Sequence, residues 1–214
     1  MPTVSGRTYT ETIDQPLLDT VSLASASPRR RELLASLGLR VLVVPSRYVE
    51  EPIPDVAPRG LALIHAKNKA AGAAAGPHVV VAADTVVDVD GTALGKPVDG
   101  ADAARMLAAL AGRTHCVHTA FALALPGRDA PVEERVTTGV RFFALSPEEI
   151  AEYVATGEPM DKAGAYGIQG RAAALVESID GDFYTVMGFP LGRFIRTVRR
   201  LGFALPAAKE APNS

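Results

Sequence analysis

The residues best placed to do chemistry are charged groups standing where a fold alone would not put them. In Ser25-Ala26-Ser27-Pro28-Arg29-Arg30-Arg31, Ser27 has the character of a helix N-cap and Pro28 that of a first helical residue, so three arginines fall in the opening turn. The helix dipole disfavours cations there by about 0.3–1 kcal/mol each. An anion reverses that balance, because free backbone N–H groups, two serine hydroxyls and guanidinium forks together make a phosphate receptor. By itself the turn also fits exposed arginines that tolerate a small, screened penalty.

Asp84-Thr85 interrupts the β-branched run from His78 to Val89. A carboxylate in a buried strand is costly unless paired, hydrogen-bonded or metal-bound, so Asp84 asks for a partner. Glu50 and Glu51, just after the apolar run Leu39–Val44, can bring a second carboxylate to the same end of a sheet. Oxygen donors of this kind suit Mg2+ or Mn2+, which take one or two carboxylates together with waters and substrate phosphates. Lys69, Lys96 in Gly95-Lys96-Pro97 and Lys162 each read as surface residues singly, and gain meaning as a set. Lys162 and Gln169 lie in Asp161–Gly170, too glycine-rich for an interior element and suited to close approach to a ligand. The Gln169 amide offers the donor and acceptor that a pyrimidine O4/N3–H edge requires.

Other eye-catching residues carry less. His115 and His118 are three apart on an expected strand and face opposite sides, so they read as structural. Neither Gly-x-x-x-x-Gly-Lys-Ser/Thr nor Gly-x-Ser-x-Gly occurs. Arg193, Arg196, Arg199 and Arg200 read as the solvated face of a last helix.

The elements that must position these groups alternate early and pair later. Val21–Ala24 reads as a strand, with a helix to Gly38, a second strand over Leu39–Val44 and an Ala-rich helix over 59–75. His78–Val89 turns back through Asp90-Gly91 to Thr92–Leu94. Asp99 caps a helix to Ala111, Thr114–Leu125 and Val132–Leu145 form a strand pair, and Ser146-Pro147-Glu148-Glu149 is a capping box. A strand over Ala172–Ser178 and a basic helix over Pro190–Leu201 follow. The class is therefore α/β, a mixed twisted sheet flanked by helices. Residues 1–20 read as a flexible extension without a secretory signal, 21–204 as a single domain and 205–214 as a disordered tail.

Of 214 residues, 48% are hydrophobic and 21% charged, enough for a sizeable core. The net charge of -2 removes the bulk attraction that would favour a nucleic-acid polymer or an anionic membrane, so an anionic partner must be small and locally recognised. One cysteine, Cys116, excludes an internal disulfide and fits a cytosolic setting. No apolar run reaches the length of a membrane-spanning helix. A homodimer is one assembly the reading allows.

Five ordered segments carry a resemblance: Ser25-Ala-Ser-Pro-Arg-Arg-Arg-Glu-Leu-Leu, Ala82-Ala-Asp-Thr-Val-Val, Gly95-Lys-Pro, Thr156-Gly-Glu-Pro-Met-Asp-Lys-Ala-Gly-Ala-Tyr-Gly-Ile-Gln-Gly and Gly188-Phe-Pro-Leu. From about Val21 to Leu201 the chain resembles the Maf family of nucleoside triphosphate pyrophosphatases. That resemblance implies a Maf/inosine-triphosphate-pyrophosphatase-like fold with two lobes around a central cleft. It further implies hydrolysis of a nucleoside triphosphate to the monophosphate and pyrophosphate, in the branch acting on dTTP and UTP, with modified pyrimidine triphosphates as further candidates. Asp84 then looks like the proton acceptor that activates water, and Glu50 like its partner in holding a divalent cation, Mg2+ or Mn2+. Ser25, Arg30, Lys69 and Lys96 match phosphate-binding positions, while Arg29, Thr85 and Gln169 match positions of base preference; Lys162 joins the substrate-binding set. Where family members commonly carry Asp-Glu, this chain has Val49-Glu50, with Glu51 adjacent, and Lys67 is two residues from Lys69. Rival readings are a non-catalytic nucleotide-binding regulator of cell division and a nucleotidyl transferase.

Overall fold

The computed structural model describes residues 15–51, 53–74 and 76–207. Its core is a seven-stranded mixed sheet, as the alternation of elements predicts. Strands β1 (Thr20–Leu23), β2 (Arg40–Val43), β3 (Val79–Val89), β5 (Thr114–Ala124), β6 (Val132–Phe142) and β7 (Val176–Asp180) run in the order β2-β1-β3-β5-β6-β7, and β4 (Thr92–Leu94) pairs with β3. Pairing is parallel at β1/β2 and β1/β3 and antiparallel elsewhere.

Helix α1 (Pro28–Ala35) follows β1, and α2 (Pro58–Ala71) carries the chain from β2 across to β3. Because these two crossovers run in opposite directions along the sheet, the common right-handed connection puts their helices on opposite faces. One face bears two apolar clusters. Val81, Ala83 and Phe121 pack with Leu34 of α1 and Phe194 of α6 (Leu191–Arg200). Further along the same strands, Val87, Val117 and Val140 pack with Leu107 of α3 (Gly100–Leu110) and Tyr153 of α4 (Pro147–Ala155). Thr85 lies between the two, at the cleft separating the lobes. On the opposite face, Ala62, Ala66 and Ala70 recur every fourth residue along α2 and meet Ala82, Ala120 and Ala122. Small side chains on both partners bring this helix close to the sheet.

Helix starts fall where capping chemistry predicts them: Ser27 caps α1 ahead of Pro28, Asp99 caps α3, and Ser146 with Glu149 forms the reciprocal box of α4. Other expected boundaries are corrected. The Ala-rich helix stops at Ala71, since Gly72 ends it. The Val132–Leu145 strand stops at Phe142. In place of a strand over Ala172–Ser178, Gly170–Ala174 forms a 3₁₀ turn that buries Ala172, and pairing with β6 begins only at Val176. A five-residue helix, α5 (Phe183–Met187), capped by Asp182, was not anticipated. The first strand starts at Thr20, and before it Leu18 is buried in the α1/α6 cluster and its N–H donates to Ala204 O at 2.8 Å. The expected extension over 1–20 thus contains an anchored stretch; its residues 1–14, and residues 208–214 of the expected tail, lie outside the described residues. Among the described residues no helix is long and apolar enough to cross a membrane.

Candidate active site

Strand alternation sends the neighbours Asp84 and Thr85 to opposite faces of β3, and each meets a different set of cations. On the α2 side, Lys69 in the last turn of α2 places Nζ 2.6 Å from Asp84 Oδ1 and 2.7 Å from Glu50 Oε1. The Lys69 and Asp84 side chains are only 12% and 9% exposed, so this is a buried pair whose partners need each other. Partial burial pushes the Glu50 carboxyl up, but its hydrogen bond and attraction to Lys69, with smaller help from His65 and Lys96, hold it below the usual glutamate value. Lys67 points elsewhere and pairs with Glu133 at 3.2 Å. Glu51 does not line the cleft, and Val49 is largely exposed. Glu50 and Lys69, rather than Glu51 and Lys67, are the residues brought to Asp84.

On the other face, Arg30 spends three donors on fixed partners. Nε donates to Gly188 O at 3.0 Å, Nη1 to Ser25 Oγ at 3.1 Å and Nη2 to Thr85 Oγ1 at 3.1 Å. Thr119 Oγ1 gives its only hydrogen to Thr185 O at 2.7 Å, so the 3.0 Å contact between the threonines is donated by Thr85. The relay fixes the Thr85 hydroxyl and leaves its oxygen to accept from Arg30. Burial draws the Arg30 guanidinium below its ordinary value, against the attraction of Asp84 and Glu50; two of its five N–H groups remain for an incoming anion.

The glycine-rich loop forms the opposite lip. Arg29 Nη1 reaches across to Asp161 Oδ2 at 3.0 Å, and Lys162 Nζ bonds Asp161 Oδ1 and Glu158 O, each at 2.6 Å. Burial raises the Asp161 carboxyl, but the Lys162 and Arg29 hydrogen bonds outweigh it and hold the group below the usual aspartate range. One glycine is required here: at Gly164, with φ +69, a Cβ would sit 2.8 Å from Val87, whereas at Gly167 it would meet only the flexible Lys162 stem, at 2.6 Å. Lys96 and Gln169 are exposed at the rim.

All ten candidate residues, Ser25, Arg29, Arg30, Glu50, Lys69, Asp84, Thr85, Lys96, Lys162 and Gln169, line one cleft of about 1300 Å3. Arg31 does not line it. The histidines read as structural stay outside it: His115 Nε2 meets Tyr166 Oη at 2.7 Å, and His118 is held by Thr137 and Asp88 at 2.8 and 3.1 Å. Tyr48 and His65 line the cleft without having been singled out, and so does Gly188, which opens the Gly188-Phe-Pro-Leu segment of the resemblance. For His65 a signal existed, since it precedes Lys69 by one helical turn; Thr119 needs the β3/β5 register, which pairs it with Thr85.

Comparison with known proteins agrees with this geometry. A family model described as Maf-like protein matches residues 20–201. A dTTP/UTP pyrophosphatase of Geobacter metallireducens is 50% identical over 184 residues, covering 85% of this chain and 96% of that protein. One of Moorella thermoacetica is 52% identical over 171 residues, covering 79% and 88%. One of Thermus thermophilus is 48% identical over 181 residues, covering 85% and 94%. With the family model spanning both lobes and about half of the aligned residues shared with each of these relatives, the chain belongs to the Maf-like protein family.

Proposed function

We propose that this protein is a nucleoside triphosphate pyrophosphatase that hydrolyses dTTP and UTP to the monophosphate and pyrophosphate. The observation that carries the reading is the convergence of Asp84 and Glu50 on one lysine, with the Arg30–Ser25–Thr85 network on the other face of the same strand. Relatives named dTTP/UTP pyrophosphatase at about half identity support the pyrimidine preference.

Asp84 accepts a proton from water as the water oxygen bonds to the α-phosphorus. The bond from that phosphorus to the bridging oxygen breaks, and pyrophosphate leaves with the bond's electron pair. Lys69, Lys96, Arg30 and Ser25 neutralise and orient the phosphate chain, the main contribution a protein can make to reactions at phosphorus. Arg29, Thr85 and Gln169 face the nucleoside, and Lys162 closes the binding set. The donor set fits a divalent cation: Glu50 and Asp84 are hard oxygen donors already gathered around one positive charge. Among the described residues no third acidic, histidine or cysteine side chain joins them, which leaves positions for phosphate oxygens and water. Bound there, Mg2+ or Mn2+ supplies charge neutralisation at the triphosphate oxygens. The setting is the cytoplasm and the partner a free nucleotide.

The test is pyrophosphate release from dTTP and UTP with Mg2+. Asp84→Asn is expected to lower kcat at least about a hundred-fold; release near the wild-type rate overturns the assigned base. A nucleotidyl transferase would instead yield a nucleotide joined to an acceptor, and a non-catalytic regulator has no use for the Glu50–Asp84 pair.

A further inference from the structure

His65 is a buried polar side chain that the hydrolysis described above leaves without a task. It stands on α2 one helical turn before Lys69, so the two project from the same face of the helix, and both line the cleft. The residue is only 8% exposed, and an imidazole buried to that degree needs its nitrogens provided for. Nδ1 is provided for by Tyr48 Oη at 2.8 Å, with the two rings tilted by 44°. Nε2 has no partner among the described residues and is not sealed in the interior, and His65 lines the cleft.

Its position along the cleft follows from its neighbours. The imidazole is close enough to Glu50 to favour the ionised carboxylate there. It also lies on the α2 side of β3, with Asp84, whereas Thr85 is on the opposite face beside Arg30. One turn of α2 covers about 5.4 Å, so His65 stands beside Lys69 on the side of the cleft that holds Asp84 and Glu50. With Lys69 on the phosphate chain, the substrate oxygens within reach of that side are phosphate oxygens.

We infer that His65 is a further substrate-binding residue, whose Nε2–H donates to an oxygen of the phosphate chain of the bound triphosphate, and that Tyr48 is its positioning residue. With the Tyr48 hydroxyl donating into Nδ1, one of the two directions that their 2.8 Å contact allows, Nε2 carries the hydrogen that an anionic oxygen requires. This assignment rests on the nucleoside triphosphate reading given above.

The experiment is calorimetric titration of the full chain with pyrophosphate and Mg2+, alongside steady-state kinetics with dTTP, for wild type, His65→Leu, His65→Gln and Tyr48→Phe. His65→Leu removes the donor, and His65→Gln restores an amide N–H near the Nε2 position. Expected are a roughly ten-fold loss of pyrophosphate affinity and a similar rise in KM for His65→Leu, with kcat changed less. His65→Gln stays within about three-fold of wild type, and Tyr48→Phe falls between them. Wild-type affinity in His65→Leu, equal losses in the Leu and Gln variants, or no pyrophosphate binding by wild type overturns the assignment. Should His65→Leu fail to fold, Tyr48→Phe decides, since it deletes one hydroxyl; unchanged affinity there overturns the positioning role. Pyrophosphate binding that depends on His65 in a protein inert toward dTTP would sink the hydrolase reading and leave this one standing.

Discussion

The Lys69 ammonium lies 2.6 Å from the Asp84 carboxylate and joins it to Glu50 of a different segment at 2.7 Å. One cation therefore orders both carboxylates of the site. Lys69→Met is expected to lower kcat/KM for dTTP at least about a hundred-fold. It should also destabilise the fold by about 3–5 kcal/mol, because it leaves Asp84 buried and unpaired. Lys67→Met, which loses only the Glu133 pair, should match wild type in both kinetics and thermal melting; equal damage from the two variants would remove Lys69 from its role.

Arg30→Lys keeps the charge and loses the fork. Of the three bonds to Gly188, Ser25 and Thr85, an ammonium on a shorter reach cannot reproduce the geometry. A loss of about 2–4 kcal/mol in urea unfolding is expected, with a raised KM for dTTP. Thr119→Val, which frees the Thr85 hydroxyl without touching the cleft, should give the same trend in smaller measure.

His115 sets an acid limit on stability. Burial lowers its pKa from 6.5 to about 4, so between those values the unfolded chain binds a proton that the folded chain does not. Unfolding free energy should therefore fall as pH drops from 6.5 toward 4, by up to roughly 3 kcal/mol, and level off below. Urea unfolding across that range checks the slope, and His115→Phe should flatten it.

Base preference should show in Gln169. Gln169→Ala is expected to reduce kcat/KM for dTTP and UTP about ten-fold and to narrow the gap to purine triphosphates. A wild-type profile favouring a purine triphosphate overturns the pyrimidine assignment.

The helix starts were legible because capping is local: Ser27-Pro28, Asp99 and Ser146-Glu149 declare themselves within four residues. Asp84 was legible as an anomaly, a charge set within a β-branched run. What sequence alone leaves open differs in direction in space. Glu50 and Glu51 are adjacent and chemically alike, and Lys67 and Lys69 share one helix. Only the packing of α2 against β3 turns Lys69 to Asp84 and Lys67 to Glu133. The Gly170–Ala174 turn and α5 were hidden because short elements are set by burial and sheet pairing rather than by periodicity. Thr119 meets Thr85 only through the β3/β5 register, so nothing local in the sequence singles it out, whereas His65 stands one helical turn before Lys69.

The placement of Asp84 and Thr85 on opposite faces of β3 constrains how this site can vary over evolution. An insertion or deletion of one residue upstream within the strand would turn every later side chain to the other face, offering a hydroxyl to Lys69 and a carboxylate to Arg30. Strand β3 is hydrogen-bonded on both sides, to β1 and to β5, so such a slip could not be absorbed at an edge. Diversification of this cleft is thus confined to exchanging side chains along β3, and changes of length fall to the loops that carry its rim.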